Sequence, residues 1–229
     1  MAGGLTKLMP IDPNPGLKDK VYNSLKQAIS GMDIYNGDNP PKLDERKLAD
    51  DLNVSRTPIR EAITKLEQEG LVEVLPRRGA FVVRMSKKQI IEIIHIWAAL
   101  ESMAARMATE VATDSELATL RDMLAKHNDN NKIDIDEYSQ TNLAFHQKII
   151  TLSKCQRLID MTDALFIHVR AIRRKTIAEH DRAVKSIVDH MKIIEAIESR
   201  NANLSEKLVK THALNLAEHV KKYVNYLPE

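Results

Sequence analysis

Glycine and proline are confined almost entirely to the first part of the sequence. All seven glycines lie at or before Gly79, and seven of the eight prolines lie at or before Pro76, with Pro228 as the exception. These residues interrupt helices more strongly than any others, so a stretch of about 140 residues without an internal one is expected to be mostly helical. We therefore place a domain boundary near residue 85 and predict a mostly α protein with two domains.

The second part of the sequence repeats leucine, isoleucine and alanine at the spacing of amphipathic helices. This pattern predicts an all-α bundle of about six helices. The predicted helices cover about 87–110, 114–127, 134–152, 156–179, 182–199 and 204–226. Their expected N-terminal caps are Ser86, Thr113 or Asp114, Asp134, Asp181 and Asn203.

The first part combines short helices with two short strands. Apolar residues four apart predict a helix over 17–31, and Asp44 is the expected cap of a second helix. After a break of a few residues, a third helix is predicted over 56–70. The alternating segments 71–75 and 80–83 then predict a hairpin. Two short helices joined by a tight turn and followed by a hairpin indicate a winged helix-turn-helix domain.

Basic and hydroxyl side chains cluster where such a domain would meet DNA. Residues 17–88 carry a net charge of +3, whereas residues 89–229 carry −1. Arginine can pair with guanine in the major groove, and hydroxyl groups and helix N-termini can bind phosphate. The candidate DNA-contacting residues are Arg46, Ser55, Arg56, Thr57, Arg60, Arg77 and Arg78.

Composition argues against several other classes of protein. The single cysteine, Cys155, excludes an intrachain disulfide framework and a multi-cysteine metal site, and it fits a reducing compartment. No apolar run approaches the roughly 18 residues that suggest a membrane span, and residues 1–16 lack the apolar core of a secretory signal. We therefore expect a soluble cytoplasmic protein without a membrane partner, in which residues 1–16 form a flexible segment.

The segment from about Leu17 to Val83 resembles the N-terminal domain of the GntR family of bacterial transcription regulators. The resemblance rests on S-R-T-P-I-R-E-A over residues 55–62 and R-R-G-A-F-V over residues 77–82. It implies a DNA-binding domain over residues 17–85 that recognises double-stranded DNA. The residues that correspond to the family's DNA contacts are Arg46, Ser55, Arg56, Thr57, Arg60, Arg78 and Gly79.

Histidine is concentrated in the helical part, where all eight histidines lie beyond residue 90. Asn142 and His146 lie four apart and share one helix face, while His190 and His212 fall on two other predicted helices. Three histidines that converge from three helices can hold a divalent transition metal and leave positions open for a small ligand. By spacing alone, however, histidines on amphipathic helices are more often packing or surface residues.

Residues 89–222 resemble the FCD ligand-binding domain of the FadR-like branch of the GntR family. The resemblance rests on four motifs, which are L-E-S-M-A-A-R-M-A (100–108), N-L-A-F-H-Q-K-I-I (142–150), D-H-M-K-I-I-E-A-I (189–197) and L-V-K-T-H (208–212). It implies an effector-binding and dimerisation domain over residues 86–229. It also implies a site for zinc, nickel or a similar metal formed by His146, His190 and His212, with Asn142 where the family has aspartate.

A second departure from the family concerns the effector pocket. Family members usually carry an arginine four residues before the glutamate of the first motif. In this sequence that glutamate is Glu101, and Trp97 occupies the position of the arginine. Three arginines at 170, 173 and 174 can still supply positive charge, with a solvated basic face as the alternative interpretation. We place Arg170 and Arg174 with Trp97 in the predicted effector site, and expect an effector that is less acidic, larger or more aromatic than a small hydroxy- or keto-acid.

These observations favour a ligand-responsive transcription regulator over an enzyme. In this hypothesis a homodimer binds a palindromic operator, and a small metabolite bound at the metal site releases the repressor. Two alternatives stay open, namely a helical metalloenzyme that uses the three histidines and a plain dimerisation module without metal. No acid or base beside the histidines is evident in the sequence, which argues against the enzyme.

Overall fold

The computed structural model describes residues 16–37, 39–127 and 134–228. The chain divides into two compact units, the first ending at Val83 and the second beginning at Arg84. Within the described ranges, none of the helices has the length and apolar character needed to cross a membrane. The same ranges contain nine α-helices and one small sheet, which confirms the predicted mostly α fold class.

The first unit contains three helices and a small antiparallel sheet. Its elements are α1 (Leu17–Gly31), β1 (Lys42–Leu43), α2 (Glu45–Asp51), α3 (Arg56–Gln68), β2 (Val72–Leu75) and β3 (Gly79–Val82). The Asp44 side chain caps α2 by accepting hydrogen bonds from the backbone N–H groups of Arg46 and Lys47. α1 packs on α3, and Ile29 and Leu66 are completely buried in this unit.

The sheet forms the wing of this unit. β3 lies between β1 and β2, and the antiparallel register pairs Val72 with Val82 and Leu75 with Gly79. The predicted winged helix-turn-helix arrangement is therefore confirmed. β1 was not predicted, because a strand of two residues is too short to have an alternating pattern. It joins the sheet only through its tertiary pairing with β3.

The second unit is an all-α bundle whose helices lie within a few residues of the predicted ranges. They are α4 (Lys87–Val111), α5 (Asp114–Leu124), α6 (Ile135–Leu152), α7 (Gln156–Thr176), α8 (Arg182–Glu198) and α9 (Ala202–Tyr223), with a 3-10 turn at Ala125–His127. α4 packs against α6, α7, α8 and α9, most extensively against α9. Its Trp97 is completely buried, as are Phe145 of α6 and Ile194 of α8. This central position lets α4 support side chains on several neighbouring helices.

Side-chain caps explain where several of these helices begin. Ser86 and Thr113 each form a reciprocal capping box with the residue three positions further along the helix. The prediction of Asn203 as a cap was wrong. Asn201 instead accepts a hydrogen bond from the backbone N–H of Leu204, so α9 begins two residues earlier than predicted.

Candidate functional site

Two arginines project from the beginning of α3 on the first unit. The side chains of Arg56 and Arg60 are 56% and 61% exposed. Arg56 Nη2 lies 3.0 Å and Arg60 Nε lies 2.8 Å from the same oxygen, Oε2 of Glu45 at the start of α2. Hydrogen bonds from Arg60 and Arg56 lower the pKa of the Glu45 carboxyl. Glu45 therefore holds the two guanidinium groups together at the end of α3 that would enter a major groove.

Further donors surround the same helix end. Ser55 is the N-cap of α3, yet its side chain makes no capping hydrogen bond, and both Ser55 and Thr57 are exposed. Backbone N–H groups in the first turn of a helix have no partner within the helix. This end of α3 therefore combines hydroxyl, amide and guanidinium donors, a set that suits phosphate. Arg46 on α2 is exposed as well.

The tip of the wing requires an unusual backbone conformation. Arg77 and Gly79 have φ angles of 63° and 103°, both in the left-handed region. A side chain at residue 79 would place its Cβ 3.1 Å from Cε of Lys42, so glycine suits this position. The turn leaves Arg77 and Arg78 exposed on the hairpin. All the residues predicted to contact DNA are thus exposed, namely Arg46, Ser55, Arg56, Thr57, Arg60, Arg77, Arg78 and Gly79.

Three histidines from three helices of the second unit meet in its interior. His146 of α6, His190 of α8 and His212 of α9 are buried, and their candidate ligand nitrogens all lie within 4.8 Å of one another. The Nε2 atoms of His190 and His212 are 3.3 Å apart. Two nitrogens bound at about 2.0–2.1 Å to a tetrahedral zinc ion are also separated by about 3.3 Å. The spacing of this pair is therefore compatible with one shared metal ion.

Each of the three imidazoles has its other ring nitrogen, Nδ1, close to an oxygen of a neighbouring side chain. The Nδ1 partners are Oε1 of Glu101 for His146, Oδ2 of Asp189 at 3.1 Å for His212, and the hydroxyl of Tyr138 at 3.3 Å for His190. Partners of this kind fix the orientation of a metal-binding imidazole and direct Nε2 towards the ion.

A chain of hydrogen bonds links this cluster to Asn142. The Tyr138 hydroxyl donates to Ser186 at 2.8 Å, and the Ser186 hydroxyl donates to Oδ1 of Asn142 at 3.5 Å. Because the Tyr138 hydrogen is used in this way, its oxygen accepts from Nδ1 of His190, and Nε2 of His190 then has an available lone pair. Neutral imidazole nitrogens and a buried amide oxygen nearby are suitable ligands for a metal ion of intermediate softness, such as zinc or nickel.

Burial keeps the imidazoles of this cluster neutral. It lowers the pKa of His146 and His190 well below the ordinary value, because the charged form loses solvation. Burial also lowers the pKa of His212, against the opposing effect of its hydrogen bond with Asp189. A neutral imidazole is the form that binds a metal, so no proton has to be removed at neutral pH.

Two charged residues that the sequence did not place beside the histidines contact the cluster. Nη1 of Arg173 on α7 donates to Nε2 of His146 at 2.6 Å. Glu101 of α4, which accepts from His146, also accepts a hydrogen bond from the indole N–H of Trp97 at 2.6 Å. Burial raises the pKa of Glu101, and the charge of Arg173 opposes that shift. The spacing of Trp97 and Glu101 in one helix was visible in the sequence, but the packing of Arg173 against His146 was not.

The three residues predicted for the effector lie in two places. Trp97 is buried beside Phe166, with ring centroids 5.5 Å apart, and together they line a cavity of about 290 Å³. Arg170 and Arg174 line a cleft of about 550 Å³ with Gln140 and other residues of α6. Among the described residues that line this cleft there is none of the three histidines.

His212 of the cluster lines an open cavity. This cavity has a volume of about 420 Å³, and its walls include Ser186, Asp189 and Arg182. Ser186 and Asp189 also belong to the hydrogen-bond network around the histidines. The cavity therefore gives a small molecule a route from the surface to the edge of the cluster.

Comparison with known families defines the class of this protein. Residues 17–82 match the bacterial regulatory proteins of the gntR family, and residues 92–215 match the FCD domain. The chain therefore belongs to the GntR family of transcription regulators, in the group that carries an FCD domain. Members of this family bind DNA through the winged helix-turn-helix domain and are not enzymes.

Individual relatives agree with this assignment over nearly the whole chain. The HTH-type transcriptional repressor RspR of Escherichia coli is 27% identical over 220 residues, which cover 95% of this chain and 93% of the relative. The Uxu operon regulator of Haemophilus influenzae is 30% identical and covers 86% of this chain, with 79% of the relative matched. The fold is similar to that of E. coli McbR/YncC, with a TM-score of 0.73 at 22% identity, over 92% of this chain and 100% of that one.

Proposed function

We propose that the protein is a transcription repressor that binds a palindromic operator as a homodimer. The observation that carries the DNA-binding part is the paired, exposed Arg56 and Arg60 at the start of α3. In this proposal α3 enters the major groove, where Arg56 and Arg60 read bases. The remaining contacts, to phosphate or the minor groove, come from Arg46, Ser55, Thr57, Arg77, Arg78 and Gly79.

A homodimer explains how a protein with one short recognition helix per chain can recognise a palindromic operator. Two copies related by a twofold axis present two copies of α3 to two half-sites of opposite orientation. The repressor assignment is supported by the similarity to RspR, which is a repressor. Since its partner is DNA, we propose that the protein works in the cytoplasm.

Selection from a randomised pool of duplex DNA tests this part of the proposal. The full-length protein is incubated with the pool, and bound duplexes are recovered and sequenced over several rounds. The expected result is an inverted repeat whose half-sites lie about one helical turn apart. Enrichment of a single half-site bound by one copy of the chain would contradict the dimer, and no enrichment at all would contradict sequence-specific binding.

The second part of the proposal concerns a metal and an effector. His146, His190 and His212 would hold a divalent zinc or nickel ion through Nε2, with Asn142 as a neutral fourth ligand. The 3.3 Å distance between Nε2 of His190 and Nε2 of His212 supports this assignment. When bound, an ion with five or six coordination positions would offer the remaining ones to oxygen atoms of a small acidic metabolite. The protein side chains orient the imidazoles and exclude bulk water from them.

The effector would act by binding unequally to two arrangements of the regulator, one that binds the operator and one that does not. Trp97 would take part through its hydrogen bond to Glu101, which in turn contacts His146. Arg170 and Arg174 would supply positive charge to an acidic group of the effector that reaches their own cleft, which the three histidines do not line. Release of DNA on effector binding is the expected direction for a repressor.

Metal analysis and ligand screening test this second part. Protein stripped with a chelator is dialysed against zinc or nickel, and bound metal is measured by elemental analysis. One ion per chain is expected, and a panel of carboxylic acids is then screened for a change in thermal stability of the loaded protein. Absence of stoichiometric metal with either ion would contradict the metal site and favour a helical domain that serves dimerisation alone.

A further inference from the structure

Arg173 is a basic side chain buried against the histidine cluster. Its side chain is only 3% exposed, although arginine normally stays in contact with water. Nη1 lies 2.6 Å from Nε2 of His146, and Nη2 lies 3.7 Å from Oε2 of Glu101. The guanidinium therefore lies between an imidazole of the cluster and a buried carboxylate of α4.

The direction of these hydrogen bonds follows from the chemistry of arginine. A guanidinium has only donors, so Nε2 of His146 must be the acceptor. The proton of the neutral imidazole is then on Nδ1, where it is donated to Glu101. In this arrangement Arg173 uses the lone pair with which His146 would bind a metal.

Arg173 is also incompletely satisfied where it lies. Its Nε and Nη2 atoms are buried and make no hydrogen bond to any residue in the described ranges. Its nearby carboxylate, Glu101, already accepts from Trp97 and His146. A divalent ion at the cluster would add two positive charges beside this guanidinium, and Asn142 supplies no negative charge to offset them.

From this geometry we propose that Arg173 and a metal ion compete for Nε2 of His146. Arg173 has to leave this nitrogen before all three histidines can bind an ion, so its charge and its hydrogen bond lower the metal affinity of the cluster. The inference rests on the metal site of the proposed function. It gives Arg173 a role of its own, as an internal cation that holds His146 in the metal-free protein.

Two arginines of α7 provide a matched experiment. Arg173→Gln removes the buried charge, while Arg157→Gln removes an equal charge from an exposed position on the same helix. Zinc affinity is measured for the full-length protein and both variants by competition with a chelator of known affinity. Arg173→Gln is expected to tighten zinc binding about tenfold or more, because a like charge close to the ion is gone. Arg157→Gln is expected to change it less than about twofold, because exposed charges are screened.

The outcomes separate this inference from the proposed function. Zinc binding by the unaltered protein with equal or weaker binding by Arg173→Gln would overturn the competition and leave the metal site in place. Zinc binding by Arg173→Gln but not by the unaltered protein would support the competition. Failure of the unaltered protein and both variants to bind zinc would refute the metal site, and the competition with it.

A measurement on the unaltered protein covers the case in which Arg173→Gln fails to fold. In isotopically labelled, zinc-free protein, a through-hydrogen-bond coupling is expected between Nη1 of Arg173 and Nε2 of His146. This coupling is expected to disappear when one equivalent of zinc binds. Its absence in the zinc-free protein, or its persistence with zinc bound, would overturn the competition.

Discussion

The two units of this regulator place their functional groups in opposite environments. The first unit keeps Arg56 and Arg60 more than half exposed, and the acid that holds them, Glu45, is itself near the surface. The second unit buries His146 and His190 almost completely. A group that must meet a polyanion has to keep its charge and its access to solvent. A group that must bind a metal profits from burial, which keeps it neutral and fixes its orientation.

The same contrast applies to the charged pairs in each unit. Exposed pairs such as Arg56 with Glu45 contribute little to stability, so phosphate groups can replace them at small cost. A buried pair such as Arg173 with Glu101 is different, because loss of one partner leaves a charge without compensation in the interior. Substitutions in the first unit should therefore affect binding more than stability, and substitutions in the second should affect both.

The largest expected effect is the loss of metal binding on His190→Ala. Removal of one of the three histidine ligands should weaken zinc binding by more than the roughly 10–100-fold that loss of an outer partner typically causes. Elemental analysis after dialysis against zinc is the measurement, and DNA affinity in the absence of metal should be retained. The exposed His95→Ala is the matched control and should bind zinc normally. Full zinc occupancy in His190→Ala would refute the ligand assignment.

A large effect on stability is expected for Glu101→Gln in the metal-free protein. This change leaves the buried Arg173 without its counter-charge, and the free energy of unfolding should fall by about 3 kcal/mol. The exposed counterpart Glu45→Gln should lower it by less than about 1 kcal/mol. Urea denaturation of both variants at pH 7 tests the comparison. Equal losses of unfolding free energy in the two variants would show that burial does not make the Glu101 carboxylate more important for stability than that of Glu45.

A buried histidine outside the cluster is expected to make the stability of the protein depend on pH. Burial lowers the pKa of His168 to about 4. Below pH 6.5 the unfolded chain therefore takes up a proton at this residue that the folded chain takes up only near pH 4, so stability falls as the pH drops through this window. At pH 5 this loss amounts to about 2 kcal/mol relative to pH 7.

His168→Leu should remove this contribution. The difference between the unfolding free energies at pH 7 and pH 5, measured by urea denaturation, should shrink by about 2 kcal/mol relative to the unaltered protein. The exposed His95→Leu serves as the control for loss of a histidine. An unchanged difference in His168→Leu would mean that the folded protein accommodates the protonated side chain.

A smaller effect on free energy is expected in the DNA-binding unit. Arg56→Ala should weaken binding to the selected operator by about 1–3 kcal/mol and relax the sequence preference, because Arg56 opens the helix proposed to read bases. Fluorescence anisotropy with the operator and with random DNA is the measurement. The exposed Lys88→Ala, which lies in the second unit, should leave both affinities unchanged. Equal loss on both DNAs would identify Arg56 as a phosphate contact.

The sequence predicted most of the fold because the relevant patterns are local. The absence of glycine and of internal proline after the wing, the helical repeats and the capping residues all act within a few positions, and Ser86 and Thr113 form capping boxes. The strand β1 escaped prediction because its two residues belong to the sheet only through pairing with a distant strand.

The candidate sites also contain residues that local patterns predicted and residues that only tertiary packing brings together. Most of the exposed residues predicted to contact DNA lie in continuous motifs, and the three histidines could be recognised from their resemblance to a family pattern. Arg173 could not be selected among its arginine neighbours, because only the packing of α7 on α4 and α6 places it in the interior. Glu101 was visible within a motif, but its contact with His146 depends on the same packing.

We propose that the buried cluster of the second unit controls the DNA binding of the first. Operator affinity, measured by fluorescence anisotropy with and without one equivalent of zinc and with the effector identified by the screen, tests this claim most directly. For the unaltered protein, zinc with effector should weaken operator binding about fivefold or more, and His190→Ala should show no such change. Equal operator affinity under all conditions, with zinc and effector bound stoichiometrically to the unaltered protein, would contradict the claim.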